Sequence, residues 1–147
     1  MIQRVQTIFL ALIILLFAML FFLPVYKLTI TIDGIPMISF RSLGRLSLLL
    51  AGTGLVALLA MVAIFQYKNR KKQLLIVNIG MILSLLVFTL CIAFPDVFSD
   101  AVAITNHPPV TGYSIGTFLI ALFPALFFFA GRKIKKDEKL VKDADRL

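Results

Sequence analysis

The sequence predicts an all-α membrane protein, a four transmembrane helix bundle running up, down, up and down with both termini on the cytoplasmic side. Three observations carry that expectation. Of the 147 residues, 61% are hydrophobic and the mean hydropathy is +1.02, whereas a soluble domain has roughly 45–50% apolar residues. Four apolar runs, at 7–23, 46–67, 74–94 and 113–131, contain no charged residue. Each matches a bilayer crossing, because about 20 helical residues at 1.5 Å apiece cover a hydrocarbon core of about 30 Å. Finally, the cations are sorted. Arg4, the four of the stretch 68–72 (Lys68, Arg70, Lys71, Lys72) and seven in the tail make 12 of the 15 basic residues, leaving Lys27, Arg41 and Arg45 for the opposite side. Lys and Arg near helix ends are retained on the cytoplasmic face, so the basic turn 68–72 orients every other segment. A formal charge of +8 could indicate nucleic acid in a soluble chain, but here the charges flank apolar spans and build no basic face.

The first span, 7–23, follows a weakly positive start and ends at Pro24. A cleaved signal peptide is the competing reading. The run exceeds a usual h-region and Leu23-Pro24-Val25-Tyr26 has no small-x-small cleavage pattern, which favours retention. The outer loop 24–45 comes next. Residues 28–33 alternate apolar and polar, Asp33-Gly34 is a turn dipeptide and 35–40 is a second apolar-rich run, so a short β-hairpin is expected. A two-stranded hairpin is marginal alone and needs support from helix ends, the second outer loop or a partner.

In the second span, 46–67, the residues Gly44, Ser47, Ala51, Gly54 and Ala57 fall three or four apart and share one helix face. Small residues let backbones approach in lipid, so this stripe is expected to pack helices, within the monomer or against another subunit. The third span, 74–94, stops at Pro95 and carries Asn78 close to the basic turn, where an amide would serve as a hydrogen-bonding contact between helices. Cys91, the single cysteine, precludes an intramolecular disulfide and reads as a small apolar filler.

The second outer loop, 95–112, holds Asp96, Asp100, the single histidine His107 and the rigid pair Pro108-Pro109. Two carboxylates and one imidazole make metal binding the minor reading, and packing on the hairpin or a partner the major one. In the fourth span, 113–131, Thr117, Ala121 and Ala125 repeat at four as a second small-residue ladder, and Pro124 is expected to kink the helix. The tail 132–147 has seven basic and four acidic residues. Leu140, Ala144 and Leu147 recur at helical spacing, which predicts an amphipathic helical extension. Anchoring on anionic lipid is the plain reading of its cations, while the dense interleaving of acids suits a cytoplasmic protein contact.

The opening Met-Ile-Gln-Arg-Val-Gln-Thr and the closing Lys-Asp-Glu-Lys-Leu-Val-Lys-Asp-Ala-Asp-Arg-Leu resemble the two ends of an uncharacterised family of small four-span membrane proteins from Bacteroidota, with the pattern M-I-Q-R-x-Q-T at the start and K-D-E-x-L-V-x-x-x-D-R-L at the end. The resemblance implies a bacterial inner-membrane location and brings no activity. It directs attention to Gln3, Arg4, Gln6 and Thr7 and to Lys136, Asp137, Glu138, Leu140, Asp145 and Arg146 as a polar cytoplasmic patch for docking another protein.

Three function classes are then weighed. The expected one is a non-catalytic accessory subunit or assembly factor of a larger membrane complex, with lipid, other integral membrane subunits or itself as partners and no nucleic acid. A small homo-oligomeric transporter or pore, or a lipid-binding protein, is the alternative. Transport paths usually place ionisable groups inside spans, and none is present in these four. An enzyme fares worst, since no nucleophile has a nearby base. No cofactor is expected.

Overall fold

The computed structural model describes residues 5–32, 35–43, 46–95 and 110–144. Among these, four α-helices are interleaved with three strands: α1 (Val5–Met19), β1 (Pro24–Ile32), β2 (Ile35–Ser42), α2 (Ser47–Phe65), α3 (Arg70–Ala93), β3 (Val110–Tyr113) and α4 (Ile115–Ala144). Three helical stretches, Ser47–Lys68, Arg70–Ala93 and Ile115–Val141, are long and apolar enough to cross a membrane. The apolar helix Gln6–Met19 is shorter. After it the chain stays in hydrogen-bonded turns, Leu20 N–H donating to Leu16 O at 3.0 Å and Leu23 N–H to Met19 O at 3.2 Å. Pro24 then opens β1, a position that tolerates its missing N–H.

Each helix buries a stripe at helical spacing. Leu10, Ile13 and Leu16 come from α1, Leu49, Thr53, Val56, Ala60 and Ala63 from α2, Val77, Gly80, Ser84, Val87 and Cys91 from α3, and Ile120, Phe123, Phe127, Ala130 and Ile134 from α4. The helices close a ring, α1 on α2, α2 on α3, α3 on α4 and α4 on α1. The close approach of α3 to α4 requires Gly80, because a Cβ there would lie 2.6 Å from the ring of buried Phe127. The outward faces stay apolar, with Leu58, Leu75, Ile82 and Phe118 all exposed, a pattern compatible with lipid contact.

The hairpin expected over 28–40 is present and larger than the sequence suggested. β1 pairs antiparallel with β2, with Leu28 opposite Ser39 and Lys27 opposite Phe40. β3 pairs antiparallel on its other side, Tyr26 opposite Tyr113 and Leu28 opposite Thr111, giving a three-stranded sheet in the order β2-β1-β3. Two boundaries shift. Tyr113, read as the start of the fourth span, belongs to a strand because its backbone completes the sheet. Arg70, Lys71 and Lys72, read as turn, form the first turn of α3 behind the Asn69 cap, whose Oδ1 accepts from Lys72 N at 3.3 Å. The helical extension expected of the tail is present as far as the described residues go, α4 running through Pro124 to Ala144. His107, Asp96, Asp100 and Gly44 lie outside the described residues.

Candidate functional site

Polar chemistry is concentrated at the two ends of the bundle. At the end where α1 and α3 begin and α2 stops, Gln73 is buried to 1% exposure and Gln6 to 2%. Gln73 Nε2 donates to the α2 carbonyl of Ala63 at 3.0 Å, and its Oε1 accepts from Gln6 Nε2 at 3.4 Å. That chain fixes both amide orientations, because Ala63 O requires the Gln73 NH₂ to face it and Gln73 Oε1 then requires the Gln6 NH₂. One acceptor, Gln6 Oε1, is left with no hydrogen-bond partner. On the same end Arg70 Nη1 donates to the backbone carbonyl of Asp137 in α4 at 2.8 Å. The four helices are thus tied together through two side chains of α3.

At the opposite end the sheet is seated on the bundle. The Tyr26 hydroxyl, fully buried, donates to Cys91 O at 2.9 Å and lies 2.8 Å from Cys91 Sγ. With the phenolic hydrogen committed to the carbonyl, the thiol is the donor of the second contact. Burial, reinforced by the contact with Cys91, pushes the Tyr26 hydroxyl far above the usual phenol range. Val25 O accepts twice from the start of α4, from Ser114 N at 3.0 Å and from Thr117 Oγ1 at 2.6 Å. Tyr113 reaches across to Ile92 O at 2.8 Å. The seat is therefore built from β1, β3 and the facing ends of α3 and α4.

One face of this sheet packs on the helices and the other does not. Side chains alternate along a strand, so the face opposite buried Tyr26 and Leu28 carries Lys27, Thr29, Ile38, Phe40 and Val110. Its apolar members are open, Ile38 at 53%, Phe40 at 58% and Val110 at 71% exposure. Ile35 and Met37, on the distal half of β2, are exposed as well. Among the described residues β2 is also an edge strand, the kind of strand that can pair with a further chain. No binding role for these residues was legible beforehand. The alternation within 28–40 located the strands but not which face would be left open.

The residues singled out from the sequence distribute as follows. Of the polar patch, Gln6 is buried between helices and not at the surface, because its amide completes the Gln73 chain. Thr7 is half-buried, Lys136 and Leu140 are exposed, and Asp137 and Glu138 are half-buried. Gln3, Arg4, Asp145 and Arg146 lie outside the described residues. Lys68, Lys71 and Lys72 are exposed and Arg70 half-buried. Of the α2 stripe, Ala57 is buried, Gly54 half-buried, and Ser47 and Ala51 exposed. Gly54 and Ala57 floor a groove of about 770 Å³ between α1 and α2, opposite Ile14, Phe17 and Phe21. Ala51, with Gly52, lines a second groove of about 350 Å³ facing α3. On α4 Thr117 is buried, Ala121 half-buried and Ala125 exposed. The interhelical amide is Gln73, not Asn78, whose side chain is exposed.

A family model described as "Domain of unknown function (DUF4293)" matches residues 2–147, and the chain belongs to that family. No curated protein and no solved structure matches it.

Proposed function

We propose that this member of the DUF4293 family is a non-catalytic accessory subunit or assembly factor of a larger membrane complex, seated in a bacterial inner membrane by four spans with both ends cytoplasmic. The observation that carries the reading is the open apolar face of the sheet. Ile38, Phe40 and Val110 are more than half exposed outside the helical stretches, on a sheet whose other face is fixed to the bundle by buried Tyr26. Exposed apolar side chains gathered on one face of an element fixed to the bundle suit a protein contact. Lys27 lies within the patch, opposite Phe40, so the fitting partner is an extramembrane segment of another integral membrane protein that is apolar and carries a carboxylate.

The bundle interior supports a structural role over transport. Thr53 Oγ1 bonds its own helix at Leu49 O, 2.7 Å away, and Ser84 Oγ bonds Met81 O at 2.9 Å. The hydrogens of those hydroxyls are committed to their own helices and are not free to donate to a passing solute. Phe123 and Phe127 fill the centre. The orientation rests on the cation distribution, and the Bacteroidota source on the matching chain ends.

The test is affinity purification from native membranes in a mild detergent, with quantitative mass spectrometry, for the wild type and for Ile38→Ser/Phe40→Ser. A stoichiometric integral membrane partner, retained by the wild type and lost from the double variant, is the expected result. Recovery of the wild type alone, or with only copies of itself, overturns the proposal.

A further inference from the structure

A second site lies where α4 leaves its apolar stretch. Phe129, Arg132, Lys133 and Lys136 line a cleft of about 390 Å³. Their spacing of three, four and seven residues puts them on one helix face, turned away from the buried stripe of Phe127, Ala130 and Ile134. All three cations are exposed. Phe129 is stacked on Phe9 of α1 with ring centroids 6.0 Å apart, and the Arg132 guanidinium sits over the Phe128 ring at 5.7 Å. The Phe129 ring, braced from behind by Phe9 of α1, therefore meets a wall of three positive charges. Neither Asp137 nor Glu138 lines the cleft, and the Asp137 backbone faces α3, where its carbonyl receives Arg70.

Depth identifies what fits. The uncharged run of α4 ends at Gly131, so Arg132 is its first charge. The four-residue rise from Arg132 to Lys136 is roughly 6 Å, close to the headgroup layer on one side of a bilayer. Phosphate lies at that level and acyl chains lie beside the phenylalanines. We infer that this cleft is a binding site for the phosphate-bearing headgroup of an anionic phospholipid, with Arg132, Lys133 and Lys136 on the headgroup and Phe129 against the first part of an acyl chain. The site is independent of the docking face on the sheet, at the other end of the bundle.

The experiment is lipid retention by the full chain in neutral detergent, read by native mass spectrometry, with phosphatidylglycerol, phosphatidylcholine and inorganic phosphate as separate probes. Phosphatidylglycerol should be retained well above phosphatidylcholine. A nearby cation contributes about fivefold to binding an anionic lipid, so Lys133→Gln and Lys136→Gln should each lose about fivefold, and Arg132→Gln/Lys133→Gln/Lys136→Gln about 100-fold. Lys68→Gln/Lys71→Gln/Lys72→Gln removes equal charge outside the cleft and should leave retention within about twofold. Equal losses from both triple variants, equal retention of the two lipids, or displacement of phosphatidylglycerol by millimolar inorganic phosphate would each overturn the assignment. The first would reveal a diffuse surface attraction, the second a site that does not read charge, and the third a site for free phosphate.

Discussion

Adding one methyl group at Gly116 should loosen the sheet from the bundle. A Cβ built there lies 2.7 Å from Pro24 O, 3.0 Å from Val25 Cα and 3.1 Å from Pro24 C. All three are backbone atoms of β1, so no side chain can swing aside, and the contact is roughly 0.7 Å inside ordinary van der Waals separation. Overpacking of this kind costs about 1–3 kcal/mol. The retreat of β1 also strains the two hydrogen bonds that Val25 O accepts, from Ser114 N at 3.0 Å and Thr117 Oγ1 at 2.6 Å, each worth about 0.5–1.5 kcal/mol. Some relief comes from the better helix propensity of Ala, at most about 1 kcal/mol. A net loss of about 2–4 kcal/mol is expected for Gly116→Ala, or about 5–15 °C in melting temperature for a chain of this size. Cys91, buried and free and in contact with Tyr26, is a built-in reporter. Thermal unfolding in detergent, followed by a dye that fluoresces on thiol attachment, reads the opening of that seat. Gly54→Ala is the control, because its Cβ would meet only Phe17 Cζ at 3.8 Å. A Gly116→Ala melting curve within about 1 °C of wild type, or an equal drop in Gly54→Ala, would refute the account of the seat.

At the other end, Gln73→Leu should cost about 1–3 kcal/mol, since it strands the amide of buried Gln6, whereas Gln6→Leu removes an already orphaned acceptor and should cost less. In the double variant the two losses should sum to more than the measured total, as a double-mutant cycle of melting temperatures would report. The Tyr26 hydroxyl carries a pH prediction. Its folded-state pKa is raised by burial above the value near 10 of an unfolded tyrosine. The folded state therefore holds the proton more tightly, so this stability is complete below about pH 10 and declines as pH rises beyond it. Tyrosinate absorbance of the folded protein at about pH 11 should be the same for wild type and Tyr26→Phe, and a smaller signal in the variant would show that Tyr26 ionises in place.

Helix positions were legible because apolar length and charge placement constrain them directly, and the strands were legible because 28–33 alternates cleanly. What escaped was tertiary. Gln73 looked like one more polar residue beside a basic turn, and only the arrival of Ala63 O and Gln6 from other helices makes it the interhelical contact. Asn78, a better candidate by position, stays exposed at the rim of the α3–α4 contact, its Oδ1 4.0 Å from where a Cβ of Gly131 would lie, because Val77 and Gly80 take the inward face. The small-residue stripe of α2 spreads over two grooves because Ala57 follows Gly54 toward α1 while Ala51 turns toward α3. Strand β3 could not be found alone, since four residues, Val110–Tyr113, carry no period and become a strand only by pairing with β1. The cleft on α4 escaped as well, since only the stacking of Phe9 of α1 on Phe129 shows how that ring is held beside Arg132, Lys133 and Lys136.

The first turn of α3 sharpens the orientation reading. Arg70, Lys71 and Lys72 open a helix, where the macrodipole disfavours cations and favours acids. Helix stability therefore does not account for them. Asn69 caps the turn and the carbonyl of Asp137 takes one guanidinium, which offsets part of the cost without removing it. Retention of cations on one side of a membrane is a requirement of a different kind, met during insertion and indifferent to the dipole. The two explanations separate in Lys68→Gln/Lys71→Gln/Lys72→Gln. If these residues served local stability, the variant would melt lower. If they set orientation, its melting temperature should stay level or rise slightly, while a terminal reporter that is active on one membrane side only should show a mixed population. A lower melting temperature with an unmixed reporter would return the basic turn to a purely structural role.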